Sequence, residues 1–490
     1  MISADSTIEI LGFYLNGKWE RPQGCVLGIV TNPATGATIA EVPYAGEAEI
    51  DGAVRAAHQA FAMWREVPVV DRVQPLYRYK ALLEKHQAEL AGILTRENGK
   101  TADDARAEVR RSIQMVEVAC GMPSLMLGDS LNDVAPGIDC KTIRQPIGVC
   151  AGIAPFNFPA MVPMWMWPFA IACGNTFVLK PSEKVPLTAT RAVELLHDAG
   201  LPPGVLNLVH GGKPAVDALL RHPLVKAVSF VGSTPVARYI YTTAAAEGKR
   251  VQALGGAKNH LVVMPDADMP KTVEAIIGSA FGAAGERCLA GSVLVTVGAA
   301  AGPLLDLLVK RTQALVVGDG SEAGVEMGPL VSLAHRQRVA DYVERGVTEG
   351  ATPLVDGREI AKGAAPGPGF FLGPTIFDHV TAEMTIAREE IFGPVLSVMR
   401  VETLDDAIRL VNRSPFGNAT AIFTASGKAA REYSSRIEVG MVGINVGVAA
   451  PMAFFPFTGW KNSFFGDLHA HGKDAVAFYT EQKAIMSRWF

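Results

Sequence analysis

VCAGIAPFNFPAMVPMWMWPFAIACGNTFVLKPSEK, residues 149–184, is where the pattern of the chain first declares itself. It opens on the apolar run VCAGIAPF (149–156) and closes on a second, TFVLKPS (176–182), each leading into helix-like sequence. The same alternation continues in VLNLVHG (205–211) and AVSFVG (227–232). Short β-branched runs separated by helices predict a doubly wound parallel sheet. A second series follows Gly255-Gly256: HLVVM (260–264), a long helical stretch to about 285, SVLVTVG (292–298) and a helix near 303–315. It predicts a second α/β domain. Upstream, an amphipathic helix near 49–64 puts Val54, Ala57, Phe61 and Trp64 on one face. Another is expected between about 72 and 96, ending near the ENGK turn at 97–100, and a third from about 102 to 120. GAAPGPGFFLGP (363–374) is expected to be a surface loop.

Composition narrows the function classes. At roughly 150 residues per domain, 490 residues predict two or three domains, and 49% hydrophobic residues suffice for sizeable cores. A net charge of −4 offers no basic stripe for nucleic acid and no polybasic patch for a membrane surface, so small molecules are the expected partners. The apolar run Phe158–Cys173 is shorter than the roughly 20 residues a bilayer requires, and Pro159, Pro163 and Pro168 interrupt it; it is expected to be buried. The N-terminal residues carry Asp5 and Glu9 and lack a basic signal start, so a cytoplasmic location is expected. Cysteines 25, 120, 140, 150, 173 and 288 form no CxxC pair and read as free thiols. His469 and His471 lack an evident third ligand; they read as surface sequence, and no metal is expected.

Three motifs carry chemistry. Gly232-Ser233-Thr234-Pro235 follows a predicted strand and opens a helix, where unpaired amides can hold a diphosphate, although such turns are also common structural caps. Lys180-Pro181-Ser182-Glu183, at another strand end, offers a cation and a carboxylate to ribose hydroxyls, or simply two solvated charges. The GxGxxG fingerprint is absent. Gly285-Glu286-Arg287-Cys288, at the expected end of an Ala- and Gly-rich helix, sets an arginine beside a thiol that it could activate; alone, the cysteine could equally be a packing residue.

Taken together the motifs say more. Pro155-Phe156-Asn157-Phe158-Pro159, Leu179-Lys180-Pro181-Ser182-Glu183, Leu201-Pro202-Pro203-Gly204, Phe230-Val231-Gly232-Ser233-Thr234, Leu254-Gly255-Gly256, Cys288 and Glu389-Glu390-Ile391-Phe392-Gly393-Pro394 resemble, in order and spacing, the aldehyde dehydrogenase superfamily. The resemblance spans nearly the whole chain. It implies an α/β fold with two doubly wound parallel-sheet domains and a small β oligomerisation domain. The implied division is an NAD-binding domain at 1–122 and 146–255, a catalytic domain at 256–446 and an oligomerisation domain at 123–145 and 466–490, with 447–465 connecting and lining the substrate pocket. It assigns Cys288 as nucleophile and Asn157 as oxyanion donor. Ala154, Phe156, Lys180, Glu183, Lys184, Gly232, Ser233, Leu254, Glu390 and Phe392 are assigned to NAD, and Phe158, Trp165 and Phe457 to the aldehyde pocket. The C-terminal stretch resembles a subunit-joining arm, so a homo-oligomer, dimer or tetramer, is expected.

One departure is informative. Superfamily members that hydrolyse their thioester usually carry Glu immediately before Leu-Gly-Gly, and this chain has Ala253. A thiol needs less activation than water, so transfer of the acyl group to coenzyme A is expected. The words FNFPAMVPMWM (156–166), GAKNH (256–260) and GERC (285–288) resemble the acyl-CoA-forming branch that acts on methylmalonate semialdehyde and malonate semialdehyde. A substrate carboxylate would suit Arg287, beside the nucleophile, because a buried guanidinium calls for a carboxylate. On the 102–120 helix Arg111 shares its stripe with Met115 and Val118, whereas Arg110 shares one with Gln114 and Glu117. Arg111 is therefore the inward candidate, in agreement with the branch's second carboxylate-binding arginine; a surface arginine snorkelling outward is the alternative. Two rival functions remain at this stage: a hydrolytic dehydrogenase that releases a free acid with Glu286 or Glu390 as base, and a catalytically silent protein on the same scaffold.

Overall fold

Runs of Val, Ile and Leu without alternating polar residues must be covered on both faces, and parallel sheets flanked by helices provide that. The computed structural model describes residues 8–359 and 368–490. In it, β1 (Val149–Ile153), β2 (Thr176–Lys180), β3 (Leu206–Leu208), β4 (Val225–Val231) and β5 (Arg250–Leu254) form a parallel sheet in the order β5-β4-β1-β2-β3. The winding reverses between β1 and β4. Antiparallel edges are added by Phe464–Phe465 beside β5 and by Phe13–Leu15 beside β3.

Helix α1 (Glu47–Trp64) lies against this sheet, with Ile50, Ala53, Val54 and Ala57 fully buried and the Trp64 indole donating to the Ile171 carbonyl at 2.9 Å. Phe61 is only half-buried. The helix expected over 72–96 is broken into Val69–Arg72, Gln74–Lys85 and Gln87–Asn98, with the last break at His86, which leaves helical geometry at φ −101°, ψ 15°. Gly99 ends this series at φ +86°, and a Cβ there would lie 2.8 Å from Pro329, so the ENGK turn requires glycine for conformation and for space. Helix α2 (Ala102–Cys120) follows, capped by the Thr101 hydroxyl accepting from the Asp104 N–H.

A second sheet carries β6 (Asn259–Val263), β7 (Gly291–Val297), β8 (Val395–Val401) and β9 (Ala419–Phe423), all parallel, with Thr375–Asp378 and Met441–Ile444 outside them and the antiparallel edge Thr352–Val355. A third, antiparallel sheet joins Ser130–Ala135, Ile138–Pro146 and Thr480–Arg488. The apolar run 158–173 is buried as two short helices, Met161–Met164 and Trp167–Ala172. Of the expected surface loop at 363–374, residues 363–367 lie outside the described residues. Phe370, Phe371 and Leu372 are buried, because their aromatic and aliphatic side chains outweigh the Gly-Pro punctuation around them. Among the described residues no helix is long and apolar enough to cross a membrane.

Asn175, fully buried between α2's neighbouring helices and the sheet, ties these parts together. Its Oδ1 accepts from the N–H groups of Ile147 (2.8 Å) and Gly148 (3.0 Å), and its Nδ2 donates to the carbonyls of Ala170 (3.1 Å) and Tyr479 (2.8 Å). Asn175→Leu would leave the Ile147 and Gly148 N–H groups and the Tyr479 carbonyl without this partner, at about 1–3 kcal/mol each, while the Ala170 carbonyl keeps the residue-175 backbone N–H. A fall of several degrees in apparent melting temperature is expected by scanning fluorimetry; an unchanged value would refute this role.

Candidate active site

Open parallel sheets bind ligands beyond their carboxyl ends, where the winding reverses. Here that crevice lies past β1 and β4. Gly232 follows β4, its N–H donating to the Leu254 carbonyl at 3.1 Å, and a Cβ on it would sit 2.4 Å from the Phe230 ring. Ser233 is the N-cap of helix α3 (Thr234–Ala246), Pro235 lies in its first turn, and the Ser233 hydroxyl makes no capping bond. At the end of β2 the Lys180 ammonium donates to the Gly211 carbonyl (2.8 Å) and to Glu183 (3.2 Å). Burial works to raise the Glu183 pKa, but the charge and hydrogen bond of Lys180, the Glu183 backbone N–H and the Lys184 charge together outweigh it and hold the carboxyl below its usual range. The Lys184 ammonium stands 5.1 Å from the centroid of Phe156, whose ring meets Phe392 edge-on at 5.8 Å. Ala154 is buried and donates to nothing beyond the sheet: its N–H pairs with the Lys180 carbonyl.

The nucleophile loop differs from expectation. Helix α4 (Met269–Ala280) stops at Ala280 instead of running to about 285. Ala283 (φ 48°), Ala284 (φ 52°) and Gly285 (φ 71°) then take left-handed conformations in succession. Alanine in that region costs of order 1–3 kcal/mol and persists only when its surroundings fix it. A Cβ on Gly285 would lie 2.3 Å from the Gly393 carbonyl oxygen, so the Glu390–Gly393 segment closes directly on this loop. Cys288 therefore sits in a strained loop, half-buried, packed against the same apolar cluster as Trp165 and Phe457. Its carbonyl accepts from Asn259 Nδ2 and Asn418 Nδ2, both at 2.9 Å. Burial pushes the Cys288 thiol up to about 12; Glu390 adds to the shift, and Lys100 and Arg287 oppose it.

The structure supplies Arg287 with its carboxylate from within the chain. Its guanidinium pairs with Asp104 at 2.6 Å, donates to the Gly278 carbonyl at 3.0 Å and packs over Gly282. Asp104 also accepts from the Ala283 N–H at 3.1 Å, so the pair fastens the nucleophile loop to α2. Arg287 therefore has a carboxylate partner within the chain, one that sequence cannot reveal from more than 180 positions away.

Asn157 is buried, its backbone carbonyl held by the Lys100 ammonium, and its side-chain amide has no partner among the described residues. Phe158 is half-buried beneath that ammonium. On the substrate side Trp165 packs on Phe457 at 4.7 Å and edge-on to His471 at 4.8 Å. His471 is thus core, not surface: its side chain is buried by these rings and bonded to the Phe455 carbonyl at 3.2 Å, while His469 pairs with Asp474. Arg110 is exposed and Arg111 half-buried, as the helical stripe predicts. The Arg111 guanidinium contacts Met452 Sδ and Gln114 and forms no ion pair among the described residues.

Carboxylates near the loop are already engaged. Glu286 accepts from the Val331 N–H (3.2 Å) with His335 at 3.4 Å, and burial raises its pKa to about 8. Glu390 accepts from the Ala257 N–H at 2.8 Å, and burial raises its pKa to about 7. Lys258, buried and without a hydrogen-bond partner among the described residues, is lowered to about 7 by burial, with Glu390 opposing. Ala253 is fully buried on β5 among apolar neighbours. Sequence reasoning missed Asn259, Asn418 and Lys258. Asn259 and Lys258 stand inside the word GAKNH, but nothing local marks Asn418, whose role depends on a partner 130 positions away.

Residues 20–485 match the family model described as the aldehyde dehydrogenase family. Malonate-semialdehyde dehydrogenase 2 of Geobacillus kaustophilus (strain HTA426) is 54% identical over 482 residues, covering 98% of this chain and 99% of the relative. The crystal structure of methylmalonate-semialdehyde dehydrogenase (DddC) from Oceanimonas doudoroffii superposes with a TM-score of 0.96 at 49% identity, covering 98% of this chain and 99% of that one. A Sinorhizobium meliloti 1021 structure complexed with NAD gives a TM-score of 0.96 at 45% identity, covering 99% of each chain. The reactive loop, the reversed parallel sheet and these likenesses agree: the chain belongs to the aldehyde dehydrogenase family.

Proposed function

We propose that this chain is an NAD-dependent, coenzyme A-acylating dehydrogenase that converts methylmalonate semialdehyde or malonate semialdehyde to propionyl-CoA or acetyl-CoA with release of carbon dioxide. The observation that carries the reading is Arg111, a half-buried cation that acts on His471, itself packed on Trp165 and Phe457, and that has no carboxylate partner among the described residues. Such a charge suits the carboxylate of a 3-oxo acid. The names of the Geobacillus and Oceanimonas relatives support the same substrate class.

The residues beyond β1, β2 and β4 fit NAD. The α3 N-terminus, which no side chain caps, suits a diphosphate, Glu183 suits a ribose hydroxyl, and Glu390 with Phe392 and Phe156 suits the nicotinamide side. NAD supplies the hydride acceptor. The Cys288 thiolate adds to the aldehyde carbon while the Asn157 amide and the Cys288 N–H hold the oxyanion. Loss of hydride from that carbon leaves a thioester on Cys288. The β-carboxylate then departs as carbon dioxide, its electron pair delocalising into the thioester carbonyl at the same donors before a proton is taken up at carbon. Attack by the coenzyme A thiol releases the acyl group and restores Cys288. Ala253 stands where a hydrolytic base would be, and Glu286 and Glu390 are occupied by backbone donors, which favours a thiol over water as acceptor.

The exposed Leu131, Val134 and Met486 on the antiparallel sheet, with Trp489 just past its end, support a homo-oligomer, expected by sedimentation to weigh two or four chains. With methylmalonate semialdehyde, NADH formation should require coenzyme A and match propionyl-CoA produced. Equal rates without coenzyme A would establish hydrolysis instead. Cys288→Ala should abolish turnover while NAD still binds. Arg111→Leu should raise KM for the semialdehyde at least about tenfold and leave that for propanal within about twofold, consistent with loss of one charge-assisted contact. Equal changes for both aldehydes would refute the carboxylate role.

A further inference from the structure

The ENGK turn takes no part in the chemistry above, yet three of its side chains grip the segments that do. Buried Glu97 accepts from the N–H groups of Leu187 (2.7 Å) and Thr188 (2.9 Å), at the start of the helix that follows Ser182–Lys184. Asn98 Nδ2 donates to the Phe156 carbonyl at 2.9 Å. The Lys100 ammonium donates to the Asn157 carbonyl and to Glu108 Oε2, each at 2.5 Å, and lies 3.7 Å from the Phe158 ring centroid. The other oxygen of Glu108 accepts from the N–H groups of Ala160 (2.9 Å) and Met161 (3.1 Å). Residues 156–161 are thereby held from both sides by Asn98, Lys100 and Glu108.

A neutral amide would be enough to hold a carbonyl, and Asn98 does that for Phe156. Lys100 and Glu108 are instead a fully buried ion pair, which carries a large desolvation cost. The charge has a second target: Asp104 and Glu108, one turn apart on α2, hold Arg287, the neighbour of Cys288, and Lys100 respectively, so the two cations stand together at the Cys288 loop, where both act on its thiol against Glu390. Around Lys100 itself the charged groups are Glu108, Asp104 and Arg287. We propose that Lys100, held by Glu108, is a positioning residue for the oxyanion loop and stabilises the Cys288 thiolate electrostatically. This rests on Cys288 as nucleophile and Asn157 as oxyanion donor.

The test compares Lys100→Met, Lys100→Met with Glu108→Gln, Lys100→Arg and Asn98→Ala, measuring kcat, NAD affinity and the rate of iodoacetamide alkylation of the Cys288 peptide at one mildly alkaline pH. Because a cation lowers a thiol's pKa, its removal leaves less thiolate. Both Met variants should lose at least about tenfold in kcat, with an alkylation rate about tenfold lower, equivalent to one pKa unit. Lys100→Arg should keep alkylation near the wild-type rate, and Asn98→Ala should lower kcat without changing it. The double variant leaves no unpaired buried charge and so carries the test if Lys100→Met does not fold. Wild-type alkylation and kcat in a folded Met variant would overturn the role of Lys100. Turnover surviving in Cys288→Ala would instead remove the reading on which it rests.

Discussion

Two buried amides, Asn259 at the start of β6 and Asn418 just before β9, donate to the carbonyl of Cys288, and this grip fixes where its sulfur stands. The loop needs such a grip. Ala283, Ala284 and Gly285 are left-handed in succession, and an isolated chain would relax from that geometry. Asn259 also donates to the Ala290 carbonyl and accepts from the Ala419 N–H, so every polar atom of its amide is used in locking β6, β9 and the loop to one another. With the loop fixed to the second sheet, the catalytic geometry reduces to how the first sheet presents its own strand ends. The reversal between β1 and β4 opens the crevice there, and the Asn157 segment that follows β1 forms its wall.

Burial dominates the electrostatics of this crevice. It raises the carboxyls of Glu286 and Glu390 and the thiol of Cys288, and it lowers the amines of Lys100 and Lys258. Ionised forms in such a place exist only where a partner holds them, as Asp104 holds Arg287 and Glu108 holds Lys100. Arg111 has no such partner among the described residues, and a bound carboxylate would supply one. Its charge acts on His471, which packs on Trp165 and Phe457, and apolar surroundings of that kind strengthen a charge pair formed beside them.

Strands β1 to β4, β6 and β7 were legible because a parallel strand must be apolar on both faces, and VCAGI, TFVLK and NHLVV are buried throughout, whereas β5, β8 and β9 were not among the runs read from sequence. Helix α2 was legible down to which arginine faces inward, because a periodic stripe encodes orientation. Helix ends were less so. The stop at Ala280 depends on Gly285 meeting Gly393, and the break at His86 leaves no sequence signal. Arg287 shows a related limit: its need for a carboxylate was legible, but Asp104 as a partner 183 positions away was not. His471 looked like surface sequence because a histidine's burial is set by Trp165 and Phe457, which reach it from other parts of the chain.

The proposed function turns on an acyl group carried as a thioester on Cys288 and released to a thiol. The most direct measurement is mass spectrometry of enzyme quenched after mixing with NAD and methylmalonate semialdehyde, with coenzyme A withheld. The account predicts a propionyl adduct on the peptide containing Cys288 that persists until coenzyme A is added and is then lost as propionyl-CoA. An adduct that disappears equally fast in buffer alone, or an acyl group on a different residue, would contradict it.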